Sequence, residues 1–104
     1  LRELREKLPN VSLVLCEPFS LPVGSIAEEY PRWESILRPL QEAVPQLAEE
    51  FGAAFVPLQK PFSDACRLRE ASYWVWDGIH PTVSGHALLA REWMKAAGPL
   101  LDAD

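Results

Sequence analysis

The chain has 104 residues, 48% of them hydrophobic and 24% charged, a balance that fits one folded globular domain and excludes a disordered or coiled-coil chain. Ten basic residues against 15 acidic ones leave a net charge of −5 with no Lys/Arg cluster, which argues against nucleic acid or an anionic membrane surface as partner. No apolar run reaches the roughly 18 residues that a bilayer crossing needs, so no membrane is expected.

Leu1, Leu4 and Leu8 recur at helical spacing among Arg, Glu and Lys, the stripe of an amphipathic helix that has no capping residue before it. It reads as the tail of a longer helix, ended by Pro9-Asn10. Val11 to Cys16 is a nearly continuous apolar run of strand length and predicts a strand covered on both faces. Within it Cys16 reads as a small buried hydrophobe rather than half of a bridge to Cys66, which favours a reducing, cytoplasmic compartment. Because the chain opens at Leu1 rather than Met, a removed export signal stays open as the alternative. Glu17-Pro18 closes the strand, and Phe19 to Tyr30, with Pro22 and Gly24, predicts a loop.

From Pro31 to Phe51 helical spacing returns: Trp33, Ile36, Leu37, Leu40, Ala43, Val44, Leu47, Ala48 and Phe51 form one stripe, read wholly as packing. Pro39 and Pro45 each remove a backbone donor, so a kink or break is expected rather than one straight rod. Gly52 stops this helix, and Ala53 to Pro57 predicts a second short apolar strand. A loop with a short helix follows over Leu58 to Arg69, then an aromatic loop from Tyr73 to Pro81. A final helix spans Val83 to Ala97, capped by Thr82 and packing through Ala87, Leu88, Leu89, Ala90, Trp93, Met94 and Ala97. Strand, helix, strand, helix is the order of the right-handed parallel crossover unit of α/β proteins. Two parallel strands leave two open edges and are hard to stabilise alone, so something else is expected to complete the sheet.

The residues with most chemical content run from Asp77 to Thr82, Asp-Gly-Ile-His-Pro-Thr. Asp77 can accept a hydrogen bond from one ring nitrogen of His80, fixing the tautomer so that the other nitrogen is free to take a proton from a hydroxyl. The alternative is a plain turn: Asp77-Gly78 is a good turn pair and Pro81 fixes the start of a helix. The position just past the carboxyl end of the second strand, where open α/β sheets build their sites, favours the chemical reading. Trp74 and Trp76 alternate just before the pair. One ring is expected to face the core and the other the mouth of the site, where stacking on a sugar or acyl group is the functional reading and plain core packing of both rings the alternative.

Tyr73 to Ala90, with its Asp77-Gly-Ile-His80-Pro-Thr-Val-Ser-Gly-His, resembles the last sequence block of the SGNH hydrolases, also called GDSL esterases and lipases. Val11 to Phe19, ending in Glu-Pro-Phe, is similar to that family's fourth sheet strand, and Leu47 to Leu58 to the helix and fifth strand before its histidine loop. The resemblance implies a three-layer α/β/α, flavodoxin-like fold, with residues 1–104 forming the C-terminal portion of one domain. By the same resemblance His80 is the general base of a Ser-His-Asp triad and Asp77 its orienting partner, and the substrate is a small-molecule carboxylic ester, acylated carbohydrate or lipid among them. No cofactor is needed. The family's Gly-Asp-Ser nucleophile block has no equivalent here, and none of Ser12, Ser20, Ser25, Ser35, Ser63, Ser72 and Ser84 stands in its context. The chain alone is therefore expected to be inactive until the N-terminal half of the domain, or a partner chain, supplies that block and completes the sheet. Two rivals stay open: a non-enzymatic α/β interaction module in which the pair serves only its turn, and a metal-dependent hydrolase built on Asp77, His80 and His86, a set with no familiar zinc spacing.

Overall fold

Apolar residues of the two predicted strand runs meet side by side in the computed structural model, which describes residues 1–101. Strand β1 (Val14–Cys16) pairs in parallel with β2 (Ala54–Val56), Val14 opposite Ala54, Leu15 opposite Phe55 and Cys16 opposite Val56. Further bonds extend the ladder at each end: Ala54 N–H donates to the Leu13 carbonyl and Glu17 N–H to the Val56 carbonyl, both at 2.9 Å. Both strands are shorter than their apolar runs. β2 is framed by the Gly52 helix stop on one side and on the other by Pro57, which has no N–H to give, so β1 has a partner over only that short stretch. Cys16 lies exposed, not buried as expected, and both cysteines are free. Its burial therefore gives no argument about compartment.

The connection between the strands is helix α2 (Tyr30–Phe51), which runs unbroken through Pro39 and Pro45. Each proline withholds one donor, and the Ser35 carbonyl deprived by Pro39 lies on the exposed side, where its loss is cheap. Gly52 takes the left-handed conformation and its N–H returns to the Ala48 carbonyl, ending the helix as expected. The single apolar stripe of α2 divides in two. Trp33, Leu37, Val44, Ala48 and Phe51 are half-buried or buried, whereas Ile36, Leu40, Ala43 and Leu47 are exposed. Helix α1 (Arg2–Lys7) likewise leaves Leu1, Leu4 and Leu8 exposed and lacks a side-chain cap. It is tied down by Arg5, whose guanidinium donates to the Val11 carbonyl at 2.8 Å and to the Phe51 carbonyl at the end of α2 at 2.5 Å.

Three helices follow β2: α3 (Gln59–Ala65), the single turn α4 (Ala71–Trp74), which takes in the start of the predicted aromatic loop, and α5 (Val83–Leu101). Thr82 caps α5, its Oγ1 accepting the Gly85 N–H at 3.1 Å. The buried side of α5 is Gly85, Leu88, Leu89, Trp93, Ala96 and Ala97; Ala87, Ala90 and Met94, expected to pack, are exposed. The core is built on Leu21, Val56, Leu58, Phe62 and Val75, with Phe19 stacked on Phe62 at 4.1 Å between ring centroids and Leu88, Leu89 and Trp93 of α5 laid over it. Val14 and Val56 serve this core, and alternation turns Leu15 and Phe55 to the opposite face of the sheet. No helix among the described residues is long and apolar enough to cross a membrane.

Candidate active site

The loop from Val75 to Thr82 is closed at its base before any chemistry is considered. Val75, fully buried, forms an antiparallel bridge with Pro81, Trp76 N–H donates to the His80 carbonyl at 3.2 Å, and Thr82 N–H to the Trp74 carbonyl at 2.9 Å. The Thr82 hydroxyl donates to the Tyr73 carbonyl at 2.6 Å, so the cap of α5 also locks the end of α4. Inside this closure Asp77 uses its two oxygens differently. Oδ1 accepts the backbone N–H groups of Ile79 at 2.9 Å and His80 at 2.7 Å, while Oδ2 faces His80 Nδ1 at 2.5 Å. Partial burial pushes the Asp77 carboxyl up, but the His80 hydrogen bond and the two backbone donors outweigh it and hold the group down at about 2. The carboxylate is thus ionised and turned toward the ring. Its side chain is 14% exposed and that of His80 is 65% exposed, so the acid is sheltered and the base is open.

The loop after β1 backs this arrangement. Leu21 N–H donates to the Gly78 carbonyl at 3.0 Å. Gly78 has φ +96°, and a Cβ there would lie 2.5 Å from Ile26 Cγ1; Gly24 has φ +71°, and its Cβ would lie 2.5 Å from Asp77 Cα. Both positions need glycine for conformation and for space. The loop that follows β1 and the loop between α4 and α5 therefore meet at the Asp77–His80 pair, on the side of the sheet to which the carboxyl end of β1 leads.

Trp74 and Trp76 part as their alternation suggests. Trp74 is half-buried in the core and donates its indole N–H to the Ala65 carbonyl at 3.0 Å, while Trp76, 61% exposed, stacks on the His80 ring with centroids 5.9 Å apart and planes 21° from parallel. His86 lies exposed on α5, and among the described residues no group of three or more His, Cys, Asp or Glu is gathered to hold a metal ion, so Asp77, His80 and His86 form no ligand set. No hydrogen bond joins a serine hydroxyl to His80 among the described residues: Ser20 pairs with Tyr30, Ser35 with Pro31 and Ser63 with Gln59. A hollow of about 320 Å³ next to the relay loop is walled by Ser25, Ile26, Glu29, Arg32, Trp33 and Ile36, and shares Ile26 with Gly78. The sequence reading missed Leu21, Gly24 and Val75 as supports of the pair. Gly24 was visible only as a loop residue, since nothing local in a sequence reports which distant backbone presses against it.

The GDSL-like lipase/acylhydrolase family model matches residues 1–88. Among solved structures, a protein described as a GDSL-like lipase from Parabacteroides merdae superposes with a TM-score of 0.86 at 41% identity, over 93% of this chain and 44% of that one. The acetylxylan esterase Axe2 of Geobacillus stearothermophilus superposes with a TM-score of 0.71 at 28% identity, over 93% of this chain and 43% of that one. An acetylxylan esterase of the same organism is 36% identical over 55 residues, which are 53% of this chain and 25% of that protein. The chain thus spans less than half the length of the relatives it matches. With the matched region covering most of its residues and a mixed α/β fold shared with these structures, the chain belongs to the GDSL-like lipase/acylhydrolase family.

Proposed function

We propose that this chain supplies the base and the orienting acid of a serine esterase, His80 and Asp77, and that the nucleophilic serine and the donors stabilising its oxyanion come from the rest of the domain. The observation that carries this reading is the Asp77 Oδ2 to His80 Nδ1 contact of 2.5 Å on an imidazole whose side chain is otherwise largely open. With Nδ1–H given to Asp77, Nε2 is the free acceptor. It takes the proton of the serine hydroxyl as that oxygen attacks the ester carbonyl, and returns it to the departing alkoxide when the tetrahedral intermediate collapses to an acyl-serine and free alcohol. Water then repeats the sequence to release the acid. The two-stranded sheet has open edges at which the remaining strands of the domain would pair.

An acetylated or otherwise acylated carbohydrate is the substrate class we favour. The matches from Geobacillus stearothermophilus are to acetylxylan esterase, and the exposed face of Trp76 beside His80 offers a stacking surface for a sugar ring. The test is hydrolysis of an aryl acetate and of acetylated xylo-oligosaccharide by the chain joined to an upstream segment that carries a Gly-Asp-Ser block. Turnover should vanish in His80→Ala and fall roughly 10⁴-fold in Asp77→Asn, the loss seen when a triad acid can no longer fix the histidine tautomer. Equal rates in His80→Ala would leave the pair as a turn and the chain as an interaction module. The 104-residue chain by itself should show no turnover.

A further inference from the structure

The orientation of Asp77 traces back to groups on two other elements. Ser20 is fully buried, and its backbone is held on both sides: its N–H donates to Gln59 Oε1 at 3.1 Å, and its carbonyl accepts from Gln59 Nε2 at 2.9 Å and from the Tyr30 hydroxyl at 2.7 Å. One amide side chain that takes both the donor and the acceptor of a single residue fixes the rotation of that stretch of backbone, not merely its position. Gln59 is itself fully committed. Its Oε1 also accepts from Gln41 Nε2 at 3.0 Å, its Nε2 also donates to Ser63 Oγ at 3.1 Å, and its backbone N–H donates to Glu17 Oε1 at 2.8 Å. Burial raises the Tyr30 phenol above its ordinary pKa, which already leaves the hydroxyl a donor at neutral pH. The residue after Ser20 is Leu21, whose N–H holds the Gly78 carbonyl, and a few residues on Gly24 lies flush against Asp77.

We propose that Gln59 and Tyr30 are positioning residues of the relay: by gripping Ser20 they hold the Leu21–Gly78 bond and the Gly24–Asp77 contact, and so keep the Asp77 carboxylate aimed at His80 Nδ1. Neither side chain bonds to Asp77 or His80, so the effect passes wholly through the Ser20–Gly24 backbone. For its catalytic consequence the proposal rests on the esterase reading; its structural part does not.

The test follows the Asp77 carboxyl by carbon-13 NMR and the Leu21 amide by hydrogen exchange in the chain carrying Gln59→Ala, Tyr30→Phe or, as control, Lys60→Ala, whose bond to Asp64 is exposed. Both positioning variants should raise the Asp77 pKa from about 2 toward the ordinary value of about 3.9, and should speed Leu21 exchange at least tenfold, roughly one lost hydrogen bond, while the control changes neither. Gln59→Glu adds a rescue arm. A protonated carboxyl can supply the acceptor and the one donor that face Ser20, though not the second donor to Ser63, so Leu21 protection should be weak at neutral pH and recover as pH falls below the pKa of the introduced group. Unchanged Asp77 titration and Leu21 protection in Gln59→Ala overturn the proposal. If that variant does not fold, Tyr30→Phe, which removes one hydroxyl, decides in the same way. In the full-domain esterase the two variants should lower kcat with KM nearly constant. If the NMR changes occur and activity is untouched while His80→Ala abolishes it, the catalytic part of the proposal falls and the esterase reading stands; if His80→Ala is also active, it is the esterase reading that falls.

Discussion

Asp77 works because its side chain is short enough to close a turn on its own backbone with one oxygen while the other reaches the imidazole. That double use has a pH consequence of definite sign. The folded-state pKa of about 2 lies below the unfolded value of about 3.9, so the ionised group stabilises the fold fully above roughly pH 4, and the stabilisation is lost as pH falls through 2. The expected outcome is an acid unfolding transition that shifts to higher pH in Gly24→Ala, where a Cβ pushes against the Asp77 backbone. The same variant, strained at φ +71°, should lose about 1–3 kcal/mol at neutral pH, measured by urea unfolding. The pair itself was legible in the sequence because its partners are only three residues apart. Its supports were not: Ser20 and Gln59 are 39 residues apart, and no periodicity or motif links them.

At the scale of elements, apolar runs located both strands and the long helix but overstated how much of each is used. A strand is as long as its partner permits, and β2, closed by Pro57, permits little. Helical spacing finds every apolar residue on a face without showing which side of that face has a neighbour, so the α2 stripe was read whole although Ile36, Leu40 and Leu47 are exposed. Of the kink or break expected at Pro39 and Pro45, the break does not occur, because one lost donor per proline is tolerable in a helix anchored along its length by Trp33, Leu37, Val44 and Ala48. The penalty should remain measurable. Pro39→Ala, at an exposed position, restores the bond to the Ser35 carbonyl and should stabilise the chain by about 2 kcal/mol after the smaller unfolded-state effect of removing proline is subtracted, with thermal unfolding as the check.

Over the whole molecule, the radius of gyration is 15.3 Å, where a compact domain of about 100 residues has about 13 Å, and the principal extents are 43 × 28 × 17 Å. The chain is a slab with its packing concentrated between β2, α3 and α5, and stability should be distributed accordingly. Phe62→Ala, which empties a fully buried site stacked on Phe19, should cost about 3–5 kcal/mol, whereas Ile36→Gln and Leu40→Gln should each stay within about 0.5 kcal/mol. Chemical unfolding of the three variants side by side checks the contrast. A slab with a large cost at Ile36 would have its core elsewhere.

The Val75–Pro81 bridge and the Trp76–His80 backbone bond enclose acid and base within one stretch of consecutive residues. Distortion that leaves this closure and its Leu21 and Gly24 supports intact can displace the stretch or tilt it as a block without parting the carboxylate from the ring. Substitutions that touch neither the closure nor those supports should therefore show themselves only as altered alignment toward the incoming alcohol, with the internal coupling of the two groups preserved.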